Sequence, residues 1–115
     1  MFKVMLFAKR KAGISPEDYR RHYEEVHAPL AIKAVGVGIR RYVRNYVDHP
    51  PDGPELAFDS VTEFWWNSRA VYDAWKATYA KDGIGAAVVA DEHDFMDRST
   101  MRVAYVDEVE DLTNL

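Results

Sequence analysis

The side chains able to move protons near neutral pH are few in this chain. There are four histidines, His22, His27, His49 and His93, and no cysteine. Two of the four stand five residues apart in the stretch "RRHYEEVHAPL", residues 20–30. Imidazole is the side chain whose ordinary pKa falls in the physiological range, so these rings are the first candidates for acid–base work. On a helical wheel at about 100° per residue with Tyr19 at zero, Tyr23, Val26 and Leu30 fall within ~40° and form a buried stripe. His22 then stands ~60° to one side and His27 ~80° to the other. The two rings flank the stripe on opposite sides, which predicts that they share neither a metal nor a proton. The i, i+4 spacing of helical zinc ligands is absent as well. No metal site is expected.

His27 is the candidate catalytic residue. Pro29 disfavours helical geometry at Ala28, so the helix is expected to stop there and leave carbonyls unpaired beside the ring. A helix C-terminus favours imidazolium, and burial favours neutral imidazole. These opposing pushes suit a general acid or base. The competing reading is structural: the ring donates to a free carbonyl and locks the turn. His22 reads as a partly exposed helix residue, His49 as a loop residue within reach of a pocket mouth, and His93 as solvent-facing. Asp91 falls on the apolar side of its own helix. A semi-buried carboxylate needs a partner, either an arginine or an imidazole.

Trp65 and Trp66 are neighbours on a strand and point to opposite sheet faces. One should fill an interface between copies, and the other should face the helices, where core packing and stacking on a flat ligand are both open to it. Tyr42, Tyr46 and Tyr105 offer hydroxyls, but a one-residue slip in register reverses which of them point inward. The candidate ligand-binding set is His22, Tyr23, Tyr42, Trp65, Trp66, Asp91 and Phe95.

These residues need a scaffold. Residues 2–9, "FKVMLFAK", read as a strand with apolar side chains on both faces, the mark of a sheet covered on both sides. Ser15-Pro16 with Glu17 and Asp18 is a helix start: a cap, a first-position proline and acids at the positive end of the dipole. That helix carries the histidines, and a further turn beyond Pro29 is expected to run to the "VGVG" segment. Residues 39–49 read as a second strand and "PPDGPE" as a loop long enough to act as a flap. A third strand covers 59–66. A helix capped by Asn67 or Ser68 follows, with Val71, Trp75 and Tyr79 inward and Gly83 as its stop. Residues 84–95 suit another helix, with Ile84, Ala87, Val88 and Phe95 on one side, and 100–109 read as the last strand.

The order β-α-β-β-α-(α)-β is the ferredoxin-like split βαβ pattern, an α+β fold with a four-stranded antiparallel sheet and helices on one face. An uncovered sheet face carrying Phe, Val and Trp predicts a symmetric homodimer with two sheets packed face to face, a dimeric α/β barrel. With 115 residues, the chain is sized for one domain, residues 1–115. The net charge is −4 and the basic residues are scattered, so nucleic-acid binding is not expected. No stretch approaches the ~18 apolar residues of a membrane span, and the short apolar run at the N-terminus lacks a cleavage site. The cytoplasm is the expected location.

Two segments, "KRKAGISPEDYRRHYEEVHAPL" (residues 9–30) and "EHDFMDRST" (residues 92–100), together with the element order, resemble the EthD family of the dimeric α/β-barrel group. The family tends to show Phe-x-Asp before its last strand, matched here by Phe95 and Asp97. The resemblance implies a small dimer with a pocket between sheet and helices, a small apolar cyclic or aromatic ligand, no metal or organic cofactor, and a role for His27. Relatives include lactone isomerases, enzymes of polyketide and aromatic pathways, and accessory proteins of degradation pathways. Three functions follow as alternatives: a cofactor-free enzyme moving a proton in isomerisation, dehydration or decarboxylation; a non-catalytic ligand-binding accessory protein; and a cofactor-free oxidoreductase acting on a phenol.

Overall fold

Alternation along β1 (Phe2–Arg10) sets the architecture: Val4, Leu6 and Ala8 are buried, and the residues between them are only half-covered. The computed structural model describes residues 1–79 and 83–112. Within these, β1 is joined by β2 (Ile39–Tyr46), β3 (Ser60–Trp66) and β4 (Met96–Val106) in one sheet of order β2-β3-β1-β4. All three pairings are antiparallel. This is the ferredoxin-like arrangement expected of the element order.

The helices lie on the face to which Val4, Leu6 and Ala8 point. Helix α1 (Pro16–His22) starts as the sequence indicates: Ser15 Oγ accepts from the Asp18 N–H at 3.1 Å, and Pro16 opens the first turn. Helix α2 (Ala28–Val35) ends at Gly36, whose φ of 71° is left-handed and suits glycine. Helices α3 (Arg69–Tyr79) and α4 (Gly83–Phe95) follow β3. Gly38 lets α3 sit close over the start of β2, since a Cβ there would run into the Val71 side chain.

Two tyrosines dock the first helix onto polar positions of β3. Tyr19 Oη and Ser60 Oγ are 2.7 Å apart, as are Tyr23 Oη and Thr62 Oγ1. Ser60 and Thr62 are fully buried, so each hydroxyl needs this partner. Around them Tyr19, Tyr23, Ala28, Phe95 and Met96 form one core cluster, and Val4, Val35, Trp66 and Tyr72 form another. Met101 and Tyr42 flank the first cluster, and Trp75 flanks the second, its indole donating to the Ala34 carbonyl at 2.9 Å.

Several expectations are corrected. Pro29 does not end the helix: α1 passes through a π turn (Tyr23–His27) directly into α2. The wider turn provides the room a proline ring needs inside a helix. Gly83 opens α4 instead of stopping α3; Lys81 and Asp82, the rest of the expected stop, lie outside the described residues. The buried face of α4 is Gly85, Val88, Glu92 and Phe95, whereas Ile84 and Ala87 are exposed. β4 begins at Met96, directly after α4, four residues earlier than the alternation suggests. Among the described residues no helix is long and apolar enough to cross a membrane.

Candidate active site

The site is created by the π turn. Its i→i+5 bonding appears in the Ala28 N–H, which donates to the Tyr23 carbonyl. One extra residue in the turn rotates everything after it by about a full helical step of 100°. Val26 therefore swings out to 47 % exposure and His27 swings in to 3 %. Residues five apart now stack on one side, so His22 and His27 do not flank the stripe on opposite sides. They converge on one carboxylate.

That carboxylate is Asp91 of α4. His22 Nε2 lies 2.9 Å from Asp91 Oδ1, and His27 Nδ1 lies 2.9 Å from Asp91 Oδ2. A carboxylate only accepts, so each ring presents an N–H to it. This fixes the tautomer of His27 with its proton on Nδ1 and a free lone pair on Nε2. Of the two partners open to Asp91, the imidazoles take the place and the arginine does not. The ring of Phe95 supports the arrangement from below, with its centroid 4.4 Å from that of His22 and 5.0 Å from that of His27. Among the described residues His27 makes no lock onto a backbone carbonyl.

Burial pushes the His27 pKa down, against the hydrogen bond and charge of Asp91, which push it up. The ring is held as neutral imidazole, the form that accepts a proton. Its Nε2 faces Glu92, whose Oε2 is 3.9 Å away. Glu92 is 8 % exposed, and its other oxygen lies 3.2 Å from Arg98 Nε. Burial raises the Glu92 pKa to about 7, outweighing Arg98; the charge of Asp91 adds to the rise. A base with a lowered pKa and an acid with a raised one thus face each other.

Both groups line cavities between sheet and helices. A small one of about 50 Å³ has Tyr23, His27, Tyr42, Tyr79 and Glu92 in its wall. A larger one of about 310 Å³ lies beneath α3 and α4, walled by Leu6, Phe64, Trp66, Trp75 and Tyr79. Glu92, Leu6, Phe64, Trp75 and Tyr79 belong to both, so the two spaces adjoin. The combined space sits at the lower end of the ~300–1,000 Å³ typical of ligand pockets.

The remaining candidates divide by sheet face. Tyr42 points inward, stacks on Phe64 at 5.1 Å, and stands beside Tyr23. Trp66 is buried against Tyr72 and Trp75 on the helix side. Trp65 is on the opposite face, under Lys3 and Arg41, and lines none of these cavities. Tyr46 turns to Glu24, and Tyr105 stands at the exposed sheet edge beside Lys76. His93 is exposed, as the wheel indicates.

His49 belongs to a separate latch. Its Nδ1 accepts the Leu56 N–H at 3.1 Å and its Nε2–H donates to Asp59 at 3.0 Å, which pins the loop before β3. Ligand atoms of His49, Glu55 and Asp59 lie within 4.8 Å of one another. The charge there is already met by Arg10, which pairs with Glu55 at 3.0 Å and Asp59 at 2.8 Å. Burial alone would raise the Asp59 pKa, but the Arg10 backbone N–H, His49 and the Arg10 charge bring it below the ordinary value. The cluster is a structural clamp.

The EthD domain model matches residues 11–99, most of the chain. The chain belongs to the EthD family. An EthD family protein from Bacillus halodurans superposes with a TM-score of 0.68 at 18% identity, over 95% of this chain and 100% of that one. An EthD-like protein from Ralstonia eutropha gives 0.61 at 18% identity, over 91% of this chain and 85% of that one. A dimeric protein of unknown function with a ferredoxin-like fold, from Bacteroides fragilis, gives 0.60 at 10% identity, over 93% and 95%. At these identities the likeness concerns the fold. No curated protein matches the chain.

Glu92 and Arg98 are the site residues that sequence reasoning missed. The available signal was spacing: Val88, Glu92 and Phe95 follow one another at four and three residues, which places Glu92 on the buried track of α4.

Proposed function

We propose that this EthD-family protein is a cofactor-independent enzyme that moves a proton on a small cyclic or aromatic metabolite, in an isomerisation, dehydration or decarboxylation. The observation that carries the reading is the state of His27: its Nδ1 is committed to Asp91 at 2.9 Å and its Nε2 lone pair is left facing Glu92 and the cavity. In this reading His27 Nε2 removes a proton from a carbon next to a carbonyl. Asp91 steadies the imidazolium that forms. Glu92, partly protonated near neutral pH, returns a proton at the second position. The Tyr42 hydroxyl, in the same cavity wall, donates to the developing enolate oxygen. The apolar walls exclude water, which strengthens each of these interactions.

The active form in this reading is a homodimer. The sheet face away from the helices carries Met5, Phe7, Val43, Val61 and Trp65, all only half-covered in one chain. A second copy seated on that face would bury them.

The reading is tested by incubating the protein in D₂O with a panel of cyclic ketones, lactones and hydroxylated aromatic acids, and following carbon-bound deuterium by NMR. Wild type should exchange at one carbon position of a cognate ligand, and His27→Ala should lose that exchange ~10²- to 10⁴-fold while remaining folded. Exchange equal in wild type and His27→Ala removes His27 from the mechanism. Ligand binding without exchange across the panel would favour the accessory-protein role.

A further inference from the structure

We infer that the larger cavity takes a ring-bearing carboxylate, with the ring between sheet and α3 and the acid group held at the mouth by Arg98 and Lys76. The inference rests on the cavity being a ligand site, as in the function proposed above, and names the chemistry of its occupant. Among the described residues lining this space are two cations and a single carboxylate, Glu92, and the others are aliphatic, aromatic or thioether side chains. Arg98 offers Nε to Glu92 at 3.2 Å and Nη1 to His93 at 3.4 Å, and its side chain is 35% exposed, so part of the guanidinium faces the opening. Lys76 donates to the Tyr105 hydroxyl at 3.3 Å and makes no ion pair among the described residues. Its ammonium also lies over the rings of Tyr72 and Tyr105, which keeps it at the sheet edge beside the mouth.

Charge and shape therefore agree. An uncharged hydrocarbon would fill the walls and leave Lys76 without an anionic partner among the described residues. A carboxylate would pair with them and draw Arg98 away from Glu92. Glu92 is the bridge that makes this relevant to chemistry: one of its oxygens is 3.2 Å from Arg98 Nε and the other is 3.9 Å from His27 Nε2. Arg98 and His27 thus stand on the two sides of Glu92, and an acid group anchored at Arg98 sits beside the proposed proton donor. Glu92, relieved of its cation, is then favoured in the protonated form needed for the return step. The groups facing Glu92 are His27 from the π turn, Asp91 on its own helix, Lys76 and Tyr79 from α3, and Arg98 from β4.

Calorimetric titration with 2-naphthoate and its neutral isostere 2-naphthamide tests this at low ionic strength. The naphthoate should bind about tenfold or more tighter than the amide. Lys76→Gln and Arg98→Gln should each weaken naphthoate binding by roughly fivefold and leave the amide nearly unchanged. Lys76 is exposed, so Lys76→Gln keeps the test valid if Arg98→Gln disturbs the fold. Equal affinity for the two probes overturns it, as does a naphthoate preference untouched by either substitution. Binding of neither probe also overturns it, and the deuterium-exchange assay then decides the catalytic reading by itself.

Discussion

Glu92 is the residue whose removal should separate stability from function most sharply. Its side chain is 11% exposed, with a pKa raised from 4.5 to about 7 by burial. The sign follows from linkage. Below pH 4.5 the group is protonated in both folded and unfolded chains and costs nothing. As pH rises from 4.5 to 7 the unfolded chain releases the proton first, so folding is progressively penalised. Above pH 7 the penalty is complete. A shift of this size corresponds to roughly 3 kcal/mol at about 1.4 kcal/mol per pH unit.

Glu92→Gln replaces the carboxyl by a group shaped like its protonated form and still able to accept from Arg98. The variant should match wild type near pH 4.5 and gain stability as pH rises, levelling at roughly 3 kcal/mol by pH 8 to 9. For a domain of this size that is an increase in Tm of about 10 °C. Urea or thermal unfolding of both proteins from pH 4.5 to 9, at one protein concentration, gives the difference directly. His27 titrates in both proteins, and its lowered pKa makes stability fall as pH drops below the ordinary histidine value. The same substitution removes the acid of the proposed reaction and should lower kcat about 10²-fold or more. Greater stability with lost activity is the signature of a group retained for function. A difference that is flat with pH, or a variant less stable than wild type at pH 8, refutes the assignment of Glu92 as a strained buried acid.

Three further outcomes follow from the geometry. Deleting Glu25, an exposed residue of the π turn, should leave an ordinary α-helix with His22 and His27 four residues apart and still on one side; NMR of the imidazole nitrogens should keep the Asp91-bound signal with far-UV circular dichroism near wild type, and loss of that signal would refute this account of the turn. Thr62→Val leaves the buried Tyr23 hydroxyl short of a partner and should cost about 1–3 kcal/mol in chemical denaturation, with Tyr23→Phe added to the same protein recovering part of the loss. Light scattering at micromolar concentration should report twice the chain mass of 13.2 kDa, and Trp65→Asp, on the sheet face away from the helices, should return the protein to one chain mass.

The sheet and its order were legible because their signals are local. Apolar alternation in β1, the Ser15-Pro16 cap, and the Pro-Gly loop after β2 each depend on a few neighbouring residues, and the split βαβ order then limits the topology. The site was less legible because it depends on a departure from regularity. A wheel built on 3.6 residues per turn places Tyr19, Tyr23, Val26 and Leu30 together. The buried series is instead Tyr19, Tyr23, His27 with Ala28, then Ala31 and Val35. Ala28, Ala31 and Val35 are spaced by three and four residues and form their own helical stripe, out of phase with the tyrosines by one residue. That phase jump, together with a proline at position 29 of an otherwise helical run, was the trace of the π turn. The apolar face of α4 was misplaced for a different reason. A face chosen by hydrophobicity excludes Glu92 and promotes Ile84, whereas the packed face includes the glutamate because Arg98 partners it and the cavity needs it.

The π turn also explains why a charged helix carries two histidines so close to a half-buried aspartate. With α spacing throughout, one imidazole would reach Asp91 and the other would point elsewhere, leaving an oxygen of a half-buried carboxylate to a single weak partner. With one residue added, both oxygens are held, each by a different ring at 2.9 Å. A carboxylate fixed at both ends cannot rotate, so the tautomer and tilt of His27 are fixed with it. His22, with 29% of its side chain exposed, therefore serves as a brace on the solvent side. The cost of the irregular turn is local, one turn giving up regular i→i+4 bonding. The return is one imidazole nitrogen held free, dry and facing an acid of opposite pKa shift, and a regular helix through the same residues would not provide it.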